Sequence, residues 1–364
     1  VRVLVLNTGS SSVKYRLIDV ATERRLAGGL VEEVTDHAAA LAAIGEQLAD
    51  AGVDAVGHRV VHGGERFSEP TLIDDAVVSA VRELIPLAPL HNPANLSGIE
   101  QARQRWPGVP QVAVFDTAFH RTIPPAAHRY AVPVSWYTEL GVRRYGFHGT
   151  SHRYVARRAA ELLGRPLAEV DLITAHLGNG ASMTAVARGR SVETSMGFTP
   201  LEGLVMGTRS GDVDPAVIAH VSRATGRDPL DVLADLNQAS GLRGLAGSSD
   251  MREILDRCDR GDDAAQLAFD VFCHRVRTYV GAYLAVLGRC DAVVFTGGIG
   301  EHSARVRAAT LHGLRGLGIE LDPTRNDAHG PVISADGSTT AVLVVPADEE
   351  LEIARQTAEV LASR

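Results

Sequence analysis

Residues 3–19, VLVLNTGSSSVKYRLID, join an apolar strand to a small polar turn and then to a second strand of alternating character. The product is a hairpin whose tip is sized for a phosphate. Asn7, Thr8, Gly9, Ser10, Ser11 and Ser12 offer side-chain donors and backbone N–H groups there, and the glycine removes the steric obstacle to close approach. The tip is not a Walker loop, because GxxxxGK[ST] is absent and a strand, not a helix, follows. Residues 172–187, LITAHLGNGASMTAVA, repeat the design with His176, Leu177, Gly178, Asn179 and Gly180 at the tip. Two copies of one hairpin imply two related halves. A third glycine turn, AVVFTGGIGEH at residues 292–302, follows a buried strand and opens a helix, the arrangement that sets backbone N–H groups beside a nucleotide. A single glycine turn after a strand is a common structural feature; three in this order are far more specific.

Around these turns the periodicity is mixed α/β. Strands are expected near 54–61, 111–115, 292–296 and 341–345, and helices near 37–50, 94–105, 151–163, 263–288, 303–315 and 349–362. No Pro/Ser-rich linker separates the halves, so two closely packed α/β domains are expected, with the last helix returning to the first and ligands in the cleft between them. A chain of 364 residues with 45% apolar composition can bury two such cores. Its net charge of -8 leaves no basic surplus to track a phosphate backbone, which argues against nucleic acid. The longest apolar runs, such as 38–44, fall far below the roughly 18 residues of a membrane span, and the first residues lack a signal-peptide layout, so a cytoplasmic protein without membrane contact is expected. Cys258, Cys273 and Cys290 show no CxxC spacing and read as reduced thiols, buried or free.

Of the 36 Lys and Arg residues, Lys14 is the only lysine, and it lies in the Gly/Ser-rich first hairpin. Either one lysine survived a coding bias by chance, or the position needs a compact, strongly hydrated ammonium. Among 14 histidines, His58/His62 and His148/His152 have the i, i+4 spacing of zinc ligands. Neighbouring Gly57, Gly63, Gly64 and Gly149 argue against one helical face, and HExxH is absent, so zinc is not expected.

NTGSSSVKY (7–15), GHRVVHGGERF (57–67), LAPLHNP (87–93), VFDTAFH (114–120), YGFHGTSH (145–152), HLGNGAS (176–182), ETSMGFTPLEGLVMGTRSGDVDP (193–215) and FTGGIGEH (295–302) extend over nearly the whole chain. In that order they closely resemble the acetate kinases of the acetokinase family, within the sugar kinase, Hsp70 and actin superfamily. The resemblance implies an α/β fold of two duplicated βββαβαβα domains with an interdomain cleft, divided as 1–120 plus 351–364 and 121–350. Three departures stand out. The stretch between Leu30 and Asp54 is shorter than in typical members, His302 stands where many have Asn, and PADEE, residues 346–350, replaces PTNEE.

The implied activity is reversible, Mg2+-dependent transfer of a phosphoryl group between ATP and acetate, giving ADP and acetyl phosphate, with Mn2+ as a substitute metal. A carboxylate acceptor is already ionised at pH 7 and needs no general base; what it needs is cations that hold two anions together. The resemblance places Arg59 and Arg209 at the acetate and γ-phosphate, where a forked guanidinium bridges carboxylate and phosphate oxygens. It has His148 donate to the phosphoryl in flight, with His91 and His176 in support. Asp116 ends the apolar strand QVAVFD, and its expected roles are orienting either arginine and helping the metal shell. Asn7 and Glu349 are the implied magnesium ligands, while Glu350 reads as a solvated helix-start charge. Asn179 and Gly180, with His176, Leu177 and Gly178, are expected at the β and γ phosphates. Gly298, Ile299 and Gly300, with Glu301 and His302, belong to the α-phosphate and ribose side. Asp250, Met251 and Arg252 belong to the adenine end, and Ser10, Ser12 and Lys14 to the phosphate entrance. Val61, Leu90, Phe147 and Pro200 form an apolar wall beside the acid.

Propionate kinase shares every motif and is the nearest rival. The rival of another class is a non-catalytic nucleotide switch of the Hsp70 or actin type, in which Arg59 and Arg209 would have no anion to clamp. The resemblance further implies a homodimer through the second domain.

Overall fold

The computed structural model of the chain describes residues 1–9, 12–34, 36–48, 51–89 and 91–363. Ser10 and Leu90 therefore lie outside the described residues. The chain divides into two compact units, one formed by Val1–Arg121, Phe147–Tyr154 and Asp348–Arg364, the other by Thr122–Gly146 and Val155–Ala347. Against the expected boundaries, Phe147–Tyr154 group with the first unit, as do the three residues from Asp348 that lead into the last helix.

In the first unit, β1 (Arg2–Thr8), β2 (Ser12–Asp19) and β3 (Arg24–Glu32) form an antiparallel meander, and β4 (Ala55–Val60) and β6 (Gln111–Phe115) run parallel beside β1. With the two-residue β5 (Thr71–Leu72) at the edge, the order is β3-β2-β1-β4-β6-β5. Val3, Leu4, Val5 and Leu6 are completely buried, which explains why β1 is an unbroken apolar run: a central strand is covered on both faces. The intervening helices His37–Gln47 and Asn92–Arg105 supply the crossovers that parallel strands require. Leu41 and Ile44 join Leu4, Leu6 and Leu17 in one apolar cluster, while Val81, Leu96 and Ile99 join Val60 and Phe115 in another. Each such side chain contributes about 1.5–3 kcal/mol on burial.

The second unit repeats the plan. Here β7 (Asp171–Leu177), β8 (Ala181–Ala187) and β9 (Arg190–Thr194) are antiparallel, and β10 (Ala292–Thr296) and β11 (Ala341–Val344) are parallel to β7, giving the order β11-β10-β7-β8-β9. The duplication expected from the paired hairpins is thus present as two sheets of one topology. The long helix Asp263–Leu287 packs on β7 and β8 and buries Phe272, Val276 and Val280.

The last helix, Glu349–Ala362, packs on β1, β4 and β6. Its approach depends on Gly57 of β4, where an added Cβ would meet Thr357 Oγ1 at 2.5 Å and Ile353 Cγ2 at 2.9 Å. No described helix is long and apolar enough to cross a membrane.

Candidate active site

Because β1, β4 and β6 are adjacent and parallel, their C-terminal ends bring Asn7, Arg59 and Asp116 to one edge of the first sheet. Arg59 donates through Nη2 to Asp116 Oδ2 at 2.6 Å and through Nε to Asp116 Oδ1 at 3.2 Å, a two-pronged ion pair. Its Nη1 reaches Asn7 Oδ1 at 3.4 Å, and its Nε lies 3.7 Å from Glu349 Oε2. Burial works to lower the Arg59 pKa, but the charges of Asp116 and Glu349 more than reverse it, so the guanidinium holds its proton above the usual range. Burial raises the Glu349 pKa, with the charge of Arg59 opposing it. The backbone around Asp116 is tied on both sides: its N–H donates to Val60 O at 2.9 Å and its carbonyl accepts from Gly149 N at 2.9 Å.

Phe147 and His148 enter this unit just before the helix Gly149–Leu162. His148 has φ 56°, a left-handed conformation uncommon outside glycine and frequent at functional positions. Phe147 is buried, with its ring edge-on to His62 at 5.7 Å and its carbonyl 2.9 Å from His120 Nε2. Val61 donates its N–H to Asn95 Oδ1 at 3.0 Å, and Asn95 Nδ2 donates to Thr8 O at 2.7 Å. This buried asparagine, which carries no sequence signal, ties the Val61 loop to the first hairpin. His91 precedes the Asn92–Arg105 helix. In the hairpin turn, Gly9 N donates to Ser12 O at 2.8 Å and Gly9 O lies 2.9 Å from His37 Nε2.

Lys14 is paired across the sheet with Asn7, and its ammonium is ion-paired with Glu350. Glu350 is therefore not a solvated helix-start charge: it is 6% exposed and also lies 3.5 Å from Arg16 Nη1. Burial works to raise its pKa, and the hydrogen bond and charge of Lys14, aided by Arg16, pull it below the usual carboxylate range. The correction has a simple physical basis. Acidic residues at helix starts are commonly solvated partners of the helix dipole, but here two cations from β2 are folded against them.

The second unit contains a cavity of about 470 Å3 lined by Gly178 and Asn179 of the repeated hairpin, Asp250, Met251 and Arg252, and Gly298, Ile299 and His302 of the third glycine turn. Three segments expected to meet a nucleotide thus share one cavity, joined by Ser249, Leu255 and Ser303, which were not expected. His176, Leu177, Gly180, Gly300 and Glu301 are not among its lining. Leu177 is fully buried, and Glu301 Oε1 instead accepts from Gly297 N and Ala347 N, both at 2.9 Å. Asp250 caps the helix Met251–Asp259 through Arg252 N at 2.9 Å and holds the Arg252 guanidinium. Arg307, fully buried, donates to Gly300 O at 2.8 Å, Glu301 O at 2.9 Å and Asn326 O at 2.8 Å, fixing the glycine turn from behind. Burial pushes its pKa down to about 10.

Arg209 is half-buried in the 193–215 loop. Its Nη1 donates to Pro200 O at 3.3 Å and approaches Met206 Sδ at 3.6 Å, and no carboxylate among the described residues lies within ion-pair distance. Burial lowers its pKa. A desolvated cation without a counter-ion is a place for an anion. The loop is anchored by Arg144, another residue that sequence reasoning missed, which donates to Thr194 O, Ser195 O and Met196 O at 2.9–3.2 Å and to Glu202 Oε1 at 2.6 Å.

The chain matches the Acetokinase family over residues 33–355. It is 55% identical to an acetate kinase of Streptomyces avermitilis, over 98% of this chain and 96% of that one, and 53% identical to an acetate kinase of Leifsonia xyli, over 99% of both. Among solved structures it resembles an acetate kinase of Porphyromonas gingivalis with TM-score 0.95 and 43% identity, over 99% of both chains. A propionate kinase of Francisella tularensis matches with TM-score 0.94 and 40% identity, over 98% of this chain and 99% of that one.

Proposed function

The chain belongs to the acetokinase family, and from that premise we propose that it is an acetate kinase, transferring a phosphoryl group reversibly between ATP and acetate to give ADP and acetyl phosphate. The observation that carries this reading is the pair of cationic groups at Arg59 and Arg209. One is locked by Asp116, and the other is half-buried with no carboxylate against it. Direct in-line transfer between two anions requires charge neutralisation and positioning, with little covalent work left to the protein. Acetate is ionised at neutral pH, so Asp116 acts as the holder of Arg59 rather than as a base. His148, on its left-handed backbone, donates to the equatorial oxygens of the phosphoryl group.

Asn7 Oδ1 and the Glu349 carboxylate, both within reach of Arg59, are hard oxygen donors of the kind magnesium prefers. Few protein ligands suffice for a cation that keeps waters and phosphate oxygens, which fits a chain whose described residues offer no cluster of three acidic or imidazole ligands. When bound, the ion neutralises phosphate charge. The nucleotide occupies the second unit's cavity, with Met251 toward the base and Asn179 toward the phosphates. Val61 and Phe147 of the first unit provide apolar surface for a short acid. The enzyme is read as a cytoplasmic homodimer.

The test is a coupled assay of ADP formation. Acetate should raise the rate far above that with ATP alone, and kcat/KM should fall from acetate to propionate to butyrate. ADP formation indifferent to acetate would favour a nucleotide switch, and a maximum at propionate would move the assignment to propionate kinase.

A further inference from the structure

Three consecutive carboxylates, Asp348, Glu349 and Glu350, begin the last helix, and each meets a cation of the first unit. Glu349 faces Arg59, with Nε at 3.7 Å from Oε2. Its two neighbours turn to β2. Asp348 Oδ1 caps the helix by accepting from Leu351 N at 3.0 Å and accepts from Arg16 Nη1 at 3.0 Å. Glu350 takes the Lys14 ammonium, and its Oε2 lies 3.5 Å from the same Arg16 Nη1. Lys14 and Arg16 are two residues apart on β2 and so project from one face of the sheet, while Val13, Tyr15 and Leu17 project from the other into the apolar cluster.

Successive residues of a helix point roughly 100° apart. Pinning the residues on either side of Glu349 therefore fixes the rotation of the helix start, and with it the direction of the Glu349 carboxylate. We propose that Arg16 is a positioning residue for phosphoryl transfer: by bridging Asp348 and Glu350 it turns Glu349 toward Arg59. Arg16 touches none of the groups assigned to substrate or metal, and it acts through its two carboxylate partners. Both contacts are made by the one nitrogen Nη1, so a lysine, shorter and with a single compact charge, can keep part of the bridge. Without Arg16, Glu350 retains Lys14, Asp348 loses the one cation paired with it among the described residues, and the helix start can rotate. The inference rests on the kinase reading for its kinetic consequence but not for its geometric one.

The experiment compares wild type with Arg16→Gln, Arg16→Lys and the double variant Arg16→Gln/Asp348→Asn, reading kcat, the KM for acetate, thermal midpoint, and Mn2+ binding to the ADP complex by electron paramagnetic resonance. Arg16→Gln should lose about tenfold in kcat with KM for acetate within about twofold, and its Mn2+ dissociation constant should rise several-fold. Arg16→Lys should fall between the two. The double variant should be no worse than Arg16→Gln, because Asp348→Asn weakens a contact that Arg16→Gln has already removed. A folded Arg16→Gln with wild-type kcat and wild-type Mn2+ binding overturns the proposal, as does a loss confined to thermal midpoint. If Arg16→Gln does not fold, the same readouts on Arg16→Lys and Asp348→Asn decide, and unchanged values in both overturn it. Wild-type protein that forms no acetate-dependent ADP refutes the kinase reading instead, while the Mn2+ titration still tests the role of Arg16.

Discussion

Arg59 sits against Asp116 and Glu349, whose charges hold its proton above the ordinary range, whereas Arg209 has a carbonyl and a thioether for company and burial lowers its pKa. The difference predicts how each fails. Arg209→Ala removes a desolvated charge that no carboxylate compensates, so stability should change little, while an arginine at a transferring phosphoryl contributes a factor of ~10³ or more. The expected result is kcat down by about that factor, a thermal midpoint near wild type, and partial rescue by added guanidine. A lowered midpoint with kcat intact would make Arg209 a structural residue. At this scale the sequence singles out Arg59, Arg209 and Asp116, where chemistry and motif coincide, and the pairing of Asp116 with Arg59 is what the structure adds. The sequence was illegible for Arg16, Arg144 and Arg307, because in a chain with one lysine nearly every cation is an arginine and the supporting ones carry no distinguishing mark. Glu350 was misread for the related reason that its partners lie on β2, more than 300 positions away, and nothing local announces them.

Strand β4 shows how one element serves two purposes. Gly57 admits the last helix, Arg59 pairs with Asp116, and His58 between them turns into the interior, 2% exposed, with Nε2 at 2.8 Å from Gln111 Oε1 on β6. The hairpins and the main helices were readable from periodicity and glycine turns, since both depend on near neighbours. That His58 is a buried partner of Gln111 depends on the β4–β6 register and was not. Burial pushes the His58 pKa down to about 4, with the Gln111 hydrogen bond only partly opposing it. The folded protein thus binds this proton less readily than the unfolded chain, whose histidines titrate near about 6.5. Stability is full above that value and falls as pH drops through the window between the unfolded pKa and about 4, by roughly 3 kcal/mol for this one group. His58→Gln, which keeps an amide donor for Gln111, should be less stable at neutral pH but should lose less on acidification. Urea unfolding of both proteins at pH 7, 5.5 and 4.5 checks this, and parallel losses would acquit His58.

On the scale of the whole molecule, the proposed reading assigns each unit one half of the chemistry: the first carries the Arg59 cluster, and the second the cavity between its two glycine turns. Binding of nucleotide and transfer to the acid should therefore be separable by mutation. Within the second unit the decisive contact is at Gly207, whose N–H donates to Asn179 O at 2.9 Å and where an added Cβ would meet Asn179 Oδ1 at 1.9 Å. That distance cannot be tolerated, and the Asn179 side chain has to move out of its place on the cavity wall. Gly207→Ala should then weaken ADP binding by about tenfold or more, a loss of about 1.4 kcal/mol for each factor of ten, without disturbing the Arg59–Asp116 pair of the other unit. Arg59→Ala should do the reverse, abolishing acetate-dependent turnover while ADP affinity stays within about twofold, since a group that acts on the transferring phosphoryl contributes chiefly in the transition state. Calorimetric titration of ADP into both variants, beside their turnover rates, gives the answer. A large affinity loss in Arg59→Ala, or none in Gly207→Ala, would show that the second unit's cavity is not where the nucleotide binds.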